Sequence, residues 1–186
     1  MNPVQTAVLY GLAVDAAHLT GKEVVLDAYC GIGTIGLTAS DKARQVVGVE
    51  VNRDAVRDAI GNAKHNGVKN ARFFAADATA WIREAADAGQ KADVVFMDPP
   101  REGSTPAFLE SVARMAPKRV VYVSCNPETL ARDLALLTKK GLPRGEQHPG
   151  GYVPAQRAYR GGMCAEQTAQ SIRREKIRFL YEETTR

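Results

Sequence analysis

Asp27-Ala28-Tyr29-Cys30-Gly31-Ile32-Gly33-Thr34-Ile35-Gly36 follows the apolar run Val24-Val25-Leu26. A short β-branched run that ends in a carboxylate and passes through glycines into an apolar-periodic stretch reads as strand, tight loop, helix. Working outward, the same unit recurs. Val46-Val47-Gly48-Val49 ends at Glu50, Ala71-Arg72-Phe73-Phe74 precedes Asp77, Val94-Val95-Phe96-Met97 ends at Asp98, and Val120-Val121-Tyr122-Val123 ends at Ser124-Cys125. Continuous runs of this kind suit strands buried on both faces of a parallel sheet. Helical patterns lie between them, clearest from Asp54 to His65, Ala78 to Ala88, Thr105 to Met115 and Pro127 to Lys140. The spacing therefore predicts an α/β fold, an open, mostly parallel Rossmann-like sheet with helices on both faces. Sheets of this type bind ligands beyond the carboxyl ends of their strands, where the polar residues just named fall.

Gly31, Gly33 and Gly36 spell G-x-G-x-x-G. That spacing serves a dinucleotide, whose pyrophosphate sits on a helix N-terminus. It also serves S-adenosylmethionine, whose methionine tail needs the same close backbone approach. Asp27, directly before the loop, favours the cationic cofactor and would repel a pyrophosphate. Glu50 stands about 20 residues past the glycines, where an acid holds ribose hydroxyls in either case. Asp77 reads equally well as an acceptor for an adenine amino group and as a helix cap.

Asp98-Pro99-Pro100-Arg101 is a loop stiffened by two prolines, which hold Asp98 and Arg101 at the mouth of the pocket. Cys125 lies between the last strand and a helix that Asn126 caps and Pro127 begins. A thiol so placed gains thiolate character from the helix dipole and faces the cofactor pocket. Arg101 and Asn126, flanking it, are expected to touch the substrate. Cys30 reads as a packing residue, and His18, His65 and His148 show neither ligand spacing nor triad logic, so no metal site is expected.

Three scattered cysteines argue for a reducing cytoplasm and against a disulfide framework. No apolar run reaches the roughly 20 residues a membrane span needs, and no secretory signal is evident at the start. The formal charge of +4 is compatible with a polyanionic partner.

Together, Asp27 to Thr34, Asp98 to Arg101 and Tyr122-Val123-Ser124-Cys125-Asn126-Pro127 resemble the bacterial RNA uracil-5-methyltransferases of rRNA and tRNA. Asn2-Pro3-Val4-Gln5-Thr6 resembles the start of their catalytic domain. The resemblance implies S-adenosylmethionine as cofactor, contacted by Tyr29, Thr34, Glu50 and Asp98. It implies Cys125 as the nucleophile that adds to C6 of a uridine in RNA. The wording of the motifs is nearer the ribosomal branch, with 23S rRNA as the expected substrate. Three alternatives stay open: a base N-methyltransferase that uses Asp98-Pro99-Pro100 and needs no thiol, a remnant that binds cofactor or RNA without turnover, and a NAD-dependent oxidoreductase.

The resemblance runs from Asn2 to about Gly141, so residues 1–141 are read as the catalytic domain and 142–186 as a tail outside the family pattern. Members of the family carry an N-terminal RNA-binding domain and a glutamine before the Asn-Pro start, neither of which precedes Asn2. They also carry an Asp-Met-Phe-Pro-His-x-x-His-x-Glu-like segment that supplies the proton-abstracting glutamate. Codons allowed for Gly151 to Thr168, read from the second base of each, can spell that segment, which points to a frameshift near Gly141. Gln170 to Arg186 reads as a charged, helix-like tail. On this reading the last strands of the sheet are lost, the Val120–Val123 strand lies at an open edge, and the chain is marginally stable and nearly inactive.

Overall fold

The computed structural model describes residues 3–142, 147–148 and 177–181. Helix α1 spans Pro3–Ala16 and leads into β1, Val24–Ala28. Then follow α2 (Thr34–Ala39), β2 (Gln45–Glu50), α3 (Arg53–His65), β3 (Ala71–Ala75), α4 (Ala78–Asp87), β4 (Val94–Met97), α5 (Pro106–Met115), β5 (Arg119–Ser124) and α6 (Pro127–Lys139). Two further strands are β6 (Gln147–His148) and β7 (Ile177–Tyr181). The strands lie in the order β3-β2-β1-β4-β5-β7-β6, and every pairing is parallel.

The sheet is buried on both faces because its strands alternate between two apolar layers. Val25, Val46, Val94, Phe96, Val121 and Val123 pack with Leu9, Ala13 and Val14 of α1 and Ile35 and Ala39 of α2. Leu26, Val49, Val95, Met97, Val120 and Tyr122 point the other way, to Ile82 of α4, Phe108, Leu109 and Val112 of α5, and Leu130, Leu134 and Leu137 of α6. Each Val, Leu, Ile, Phe or Met side chain so removed from water contributes about 1.5–3 kcal/mol. Caps set the helix starts. Asn52, Asp77, Thr105 and Asn126 each accept backbone N–H groups in the first turn that follows, and Pro106 and Pro127 open α5 and α6.

Two expectations need correction. β5 does not lie at an open edge: Val120 to Ser124 pair in register with Ile177 to Tyr181. Ile177–Tyr181 is also a strand rather than part of a helical tail. Ile-Arg-Phe-Leu-Tyr is dominated by β-branched and aromatic residues, and the unpaired N–H and C=O groups of β5 are the template such a run adds to. The sheet therefore has strands beyond β5, where the sequence reading had them lost. Residues 151–168, where a shifted frame would restore the glutamate segment, lie outside the described residues, as does Cys164.

Candidate active site

The carboxyl ends of β1, β2, β4 and β5 open on one side of the sheet and bring Asp27, Glu50, Asp98 and Cys125 to the same rim. Asp27 is 1% exposed. Its Oδ2 accepts the backbone N–H of Gly36 at 2.8 Å, while Oδ1 is buried with no hydrogen-bond partner. Burial above all, aided by the nearby charges of Asp98 and Glu50, pushes its carboxyl up to about 7. Glu50 braces the glycine loop: Oε2 accepts the Gly31 N–H at 3.1 Å and Oε1 the Asn52 N–H at 2.9 Å.

The loop is conformationally demanding. Tyr29, Gly31 and Gly33 all have positive φ, at 63°, 53° and 84°. For a bulky residue such as Tyr29 this is an uncommon, costly conformation of the kind found at ligand sites. Its ring packs inward on Phe108, with centroids 5.2 Å apart, and burial raises its hydroxyl pKa. Space opens above Gly31, where a Cβ would meet no heavy atom within 4 Å. Thr34 is exposed at the first position of α2. Cys30 is buried, its thiol pushed well up by burial and by the Asp27 and Glu50 carboxylates, as suits a packing residue.

Asp77 caps α4, its Oδ1 accepting the Ala80 N–H at 2.8 Å. Asp98 is half-buried and accepts a hydrogen bond from Tyr10 of α1 at 3.4 Å, a contact nothing in the sequence announces. The loop that follows is tied to the Cys125 turn. Asn126 Nδ2 and Thr129 Oγ1 both donate to the Arg101 carbonyl, at 3.1 and 3.2 Å. Asn126 Oδ1 accepts the Glu128 N–H at 3.0 Å, and Ser124 Oγ accepts the Asn126 N–H at 3.1 Å. Cys125 sits half-buried inside this turn. Sequence reasoning missed Asp133, whose buried carboxylate joins α6 to the same loop. The one available signal was an acid standing among Leu130, Leu134 and Leu137 at core-facing spacing.

The site accommodates a cationic cofactor. Asp27, Glu50 and Asp98 stand close enough at neighbouring strand ends to act on one another's charge, Asp27 holds an orphaned buried oxygen, and the glycine loop leaves room for close approach. Among the described residues no three His, Cys, Asp or Glu side chains come together as a metal site. Nor is any described helix long and apolar enough to cross a membrane.

A family of methyltransferase domains matches residues 19–171. The chain belongs to that methyltransferase family. Among curated relatives of this methyltransferase, an uncharacterized RNA methyltransferase of Enterococcus faecalis is 49% identical over 149 residues, covering 80% of this chain and 33% of that protein. One from Caldanaerobacter subterraneus is 48% identical over 154 residues, 83% of this chain and 34% of the relative. The chain thus spans about a third of the length of these relatives. Among solved structures, the Pyrococcus abyssi tRNA (uracil-54, C5)-methyltransferase in complex with S-adenosyl-L-homocysteine superposes with a TM-score of 0.57. It is 34% identical, covering 68% of this chain and 31% of that one. A Geobacter metallireducens precorrin-6y C5,15-methyltransferase, 19% identical, shares the fold with a TM-score of 0.61 over 71% of this chain and 69% of that one.

Proposed function

We propose that this domain transfers a methyl group from S-adenosylmethionine to C5 of a uridine in RNA, with Cys125 as the nucleophile. The observation that carries the reading is the union of the Cys125 turn with the Asp98–Arg101 loop through the shared Arg101 carbonyl. An enzyme that methylates a base nitrogen needs the loop and no thiol. The RNA methyltransferase names of the relatives and the uracil-C5 chemistry of the archaeal neighbour support the same choice. The wording of the motifs favours ribosomal RNA.

Asp27, Tyr29, Gly31, Gly33, Thr34, Glu50, Asp77 and Asp98 would hold the cofactor, which when bound supplies an electrophilic methyl group. The chain's own residues do the rest. Glu50 and the strained Tyr29–Gly33 loop fix the backbone that lines the pocket. Asp98 provides negative charge where a cation must sit, Asp27 anchors the start of α2 beside it through Gly36, and Arg101 and Asn126 border the base. Uracil C5 is a weak nucleophile. Addition of the Cys125 thiolate to C6 forms an S–C6 bond and moves the ring electron pair toward C5 and O4, which makes C5 reactive. Once C5 carries the methyl group beside its proton, a base takes that proton, and the electrons restore the C5=C6 bond and expel the thiolate from C6. The uridine has to leave its stack to reach the sulfur.

Methyl transfer to uridine-containing RNA, followed by nucleoside digestion, tests the proposal. The expected product is 5-methyluridine from the wild type and none from Cys125→Ala. A methylated base nitrogen, or a Cys125→Ala variant as active as wild type, overturns it.

A further inference from the structure

Asp133 is 1% exposed on α6, and both of its oxygens are engaged. Oδ2 accepts the Tyr122 hydroxyl at 2.7 Å and the Ser104 N–H at 2.7 Å. Oδ1 accepts Arg132 Nε at 2.8 Å. The Arg132 guanidinium reaches on to the Glu102 carbonyl at 2.8 Å. With Asn126 and Thr129 on the Arg101 carbonyl, the first two turns of α6 hold the backbone of residues 101, 102 and 104 from one helix face. Gly103, in the middle, has a φ of 77°. A Cβ there would come within 2.6 Å of both Arg132 Nη2 and Asp133 Oδ2, so the fit is made for a glycine. Tyr122 lies on β5 three residues before Cys125, and its buried hydroxyl, raised in pKa by burial and by Asp133, stays a donor.

This connectivity exceeds what folding α6 onto the sheet requires, which Leu130, Leu134 and Leu137 already accomplish. We infer that Asp133 is a positioning residue that fixes the Asp98–Ser104 loop at a set distance from the Cys125 turn. It touches neither cofactor nor base. A buried carboxylate that takes three donors makes one rigid unit of two segments that otherwise meet only at the rim. Loop and thiol then share one position, which transfer between a cofactor and a thiol-bound base demands to within a fraction of an ångström. Its activity arm rests on the uridine reading above, whereas its structural arm does not.

Tyr122→Phe removes one donor and keeps the buried ring, and Asp133→Asn sets an amide donor against Arg132 Nε or the Ser104 N–H. Hydrogen exchange of the amides of residues 101–105 is followed in the full chain, alongside thermal unfolding and steady-state kinetics on RNA. Expected are exchange at least tenfold faster at residues 102–104 with cooperative unfolding kept in Tyr122→Phe. Expected too is a kcat about tenfold lower with KM for RNA changed less than threefold. Unchanged loop exchange in both variants overturns the proposal, and so does faster exchange with kcat intact. If the wild type transfers no methyl group to RNA, the uridine reading falls and the exchange result alone decides the role of Asp133.

Discussion

Asp27 Oδ2 receives the backbone N–H of Gly36 at 2.8 Å, joining β1 to the first turn of α2 beneath the cofactor loop. A Cβ at position 36 would lie 2.8 Å from that oxygen and 2.9 Å from Val46 Cγ1. Helix propensity alone favours alanine over glycine by up to about 1 kcal/mol. Overpacking against a buried strand costs about 1–3 kcal/mol, so it wins. Gly36→Ala is expected to lower the urea midpoint, and a variant as stable as wild type would refute the close packing.

The Asp27 carboxyl, pushed up to about 7 by burial and by Asp98 and Glu50, gives stability a definite pH dependence. In the unfolded chain it titrates near 4. Between those values the folded state holds the extra proton, so stability falls as pH rises from about 4 to 7 and is level above. The loss amounts to roughly 4 kcal/mol at most. Denaturant titrations at several pH values check this: Asp27→Asn should lack that component of the decline, and parallel curves for the two proteins would contradict it.

Glu50 accepts two backbone N–H groups, from Gly31 and Asn52. Glu50→Ala leaves the loop unbraced. Hydrogen bonds to a charged group are worth about 1.5–3 kcal/mol, which corresponds to roughly tenfold to hundredfold in affinity. Calorimetric binding of S-adenosyl-L-homocysteine should weaken by that factor. Unaltered binding would remove Glu50 from the cofactor site.

β7 covers β5 over five paired residues. A chain ended at residue 176 would expose the ladder groups of β5 to other molecules. Light scattering should then show aggregation at concentrations where the full chain gives a cooperative unfolding transition. A monomeric truncated chain would argue that this pairing contributes little.

The five leading strands and the polar residues at their ends were legible because strands buried on both faces need unbroken β-branched runs, and Val94-Val95-Phe96-Met97 admits little else. The cap at Asn126 was legible for a local reason, since a cap bonds within three residues. Helix α1 was harder to see, because its apolar residues do not gather on one side. β7 was hidden by the charges around it, since strand formation there depends on the edge of β5, far away in the chain. The Asp133 cluster was unreadable for the same kind of reason. Its partners Tyr122 and Ser104 lie 11 and 29 residues away, and an acid on a helix ordinarily faces water.

The central claim is that the Cys125 sulfur adds to C6 of uridine. RNA carrying 5-fluorouridine tests it directly, because fluorine at C5 blocks the last elimination and leaves the adduct intact, whichever group removes the proton in normal turnover. With S-adenosylmethionine present, the account predicts a protein–RNA complex stable to denaturing electrophoresis, with peptide mass analysis placing the bond on Cys125, and no complex from Cys125→Ser. Methyl transfer without any covalent complex, or a complex that persists in Cys125→Ser, would contradict it.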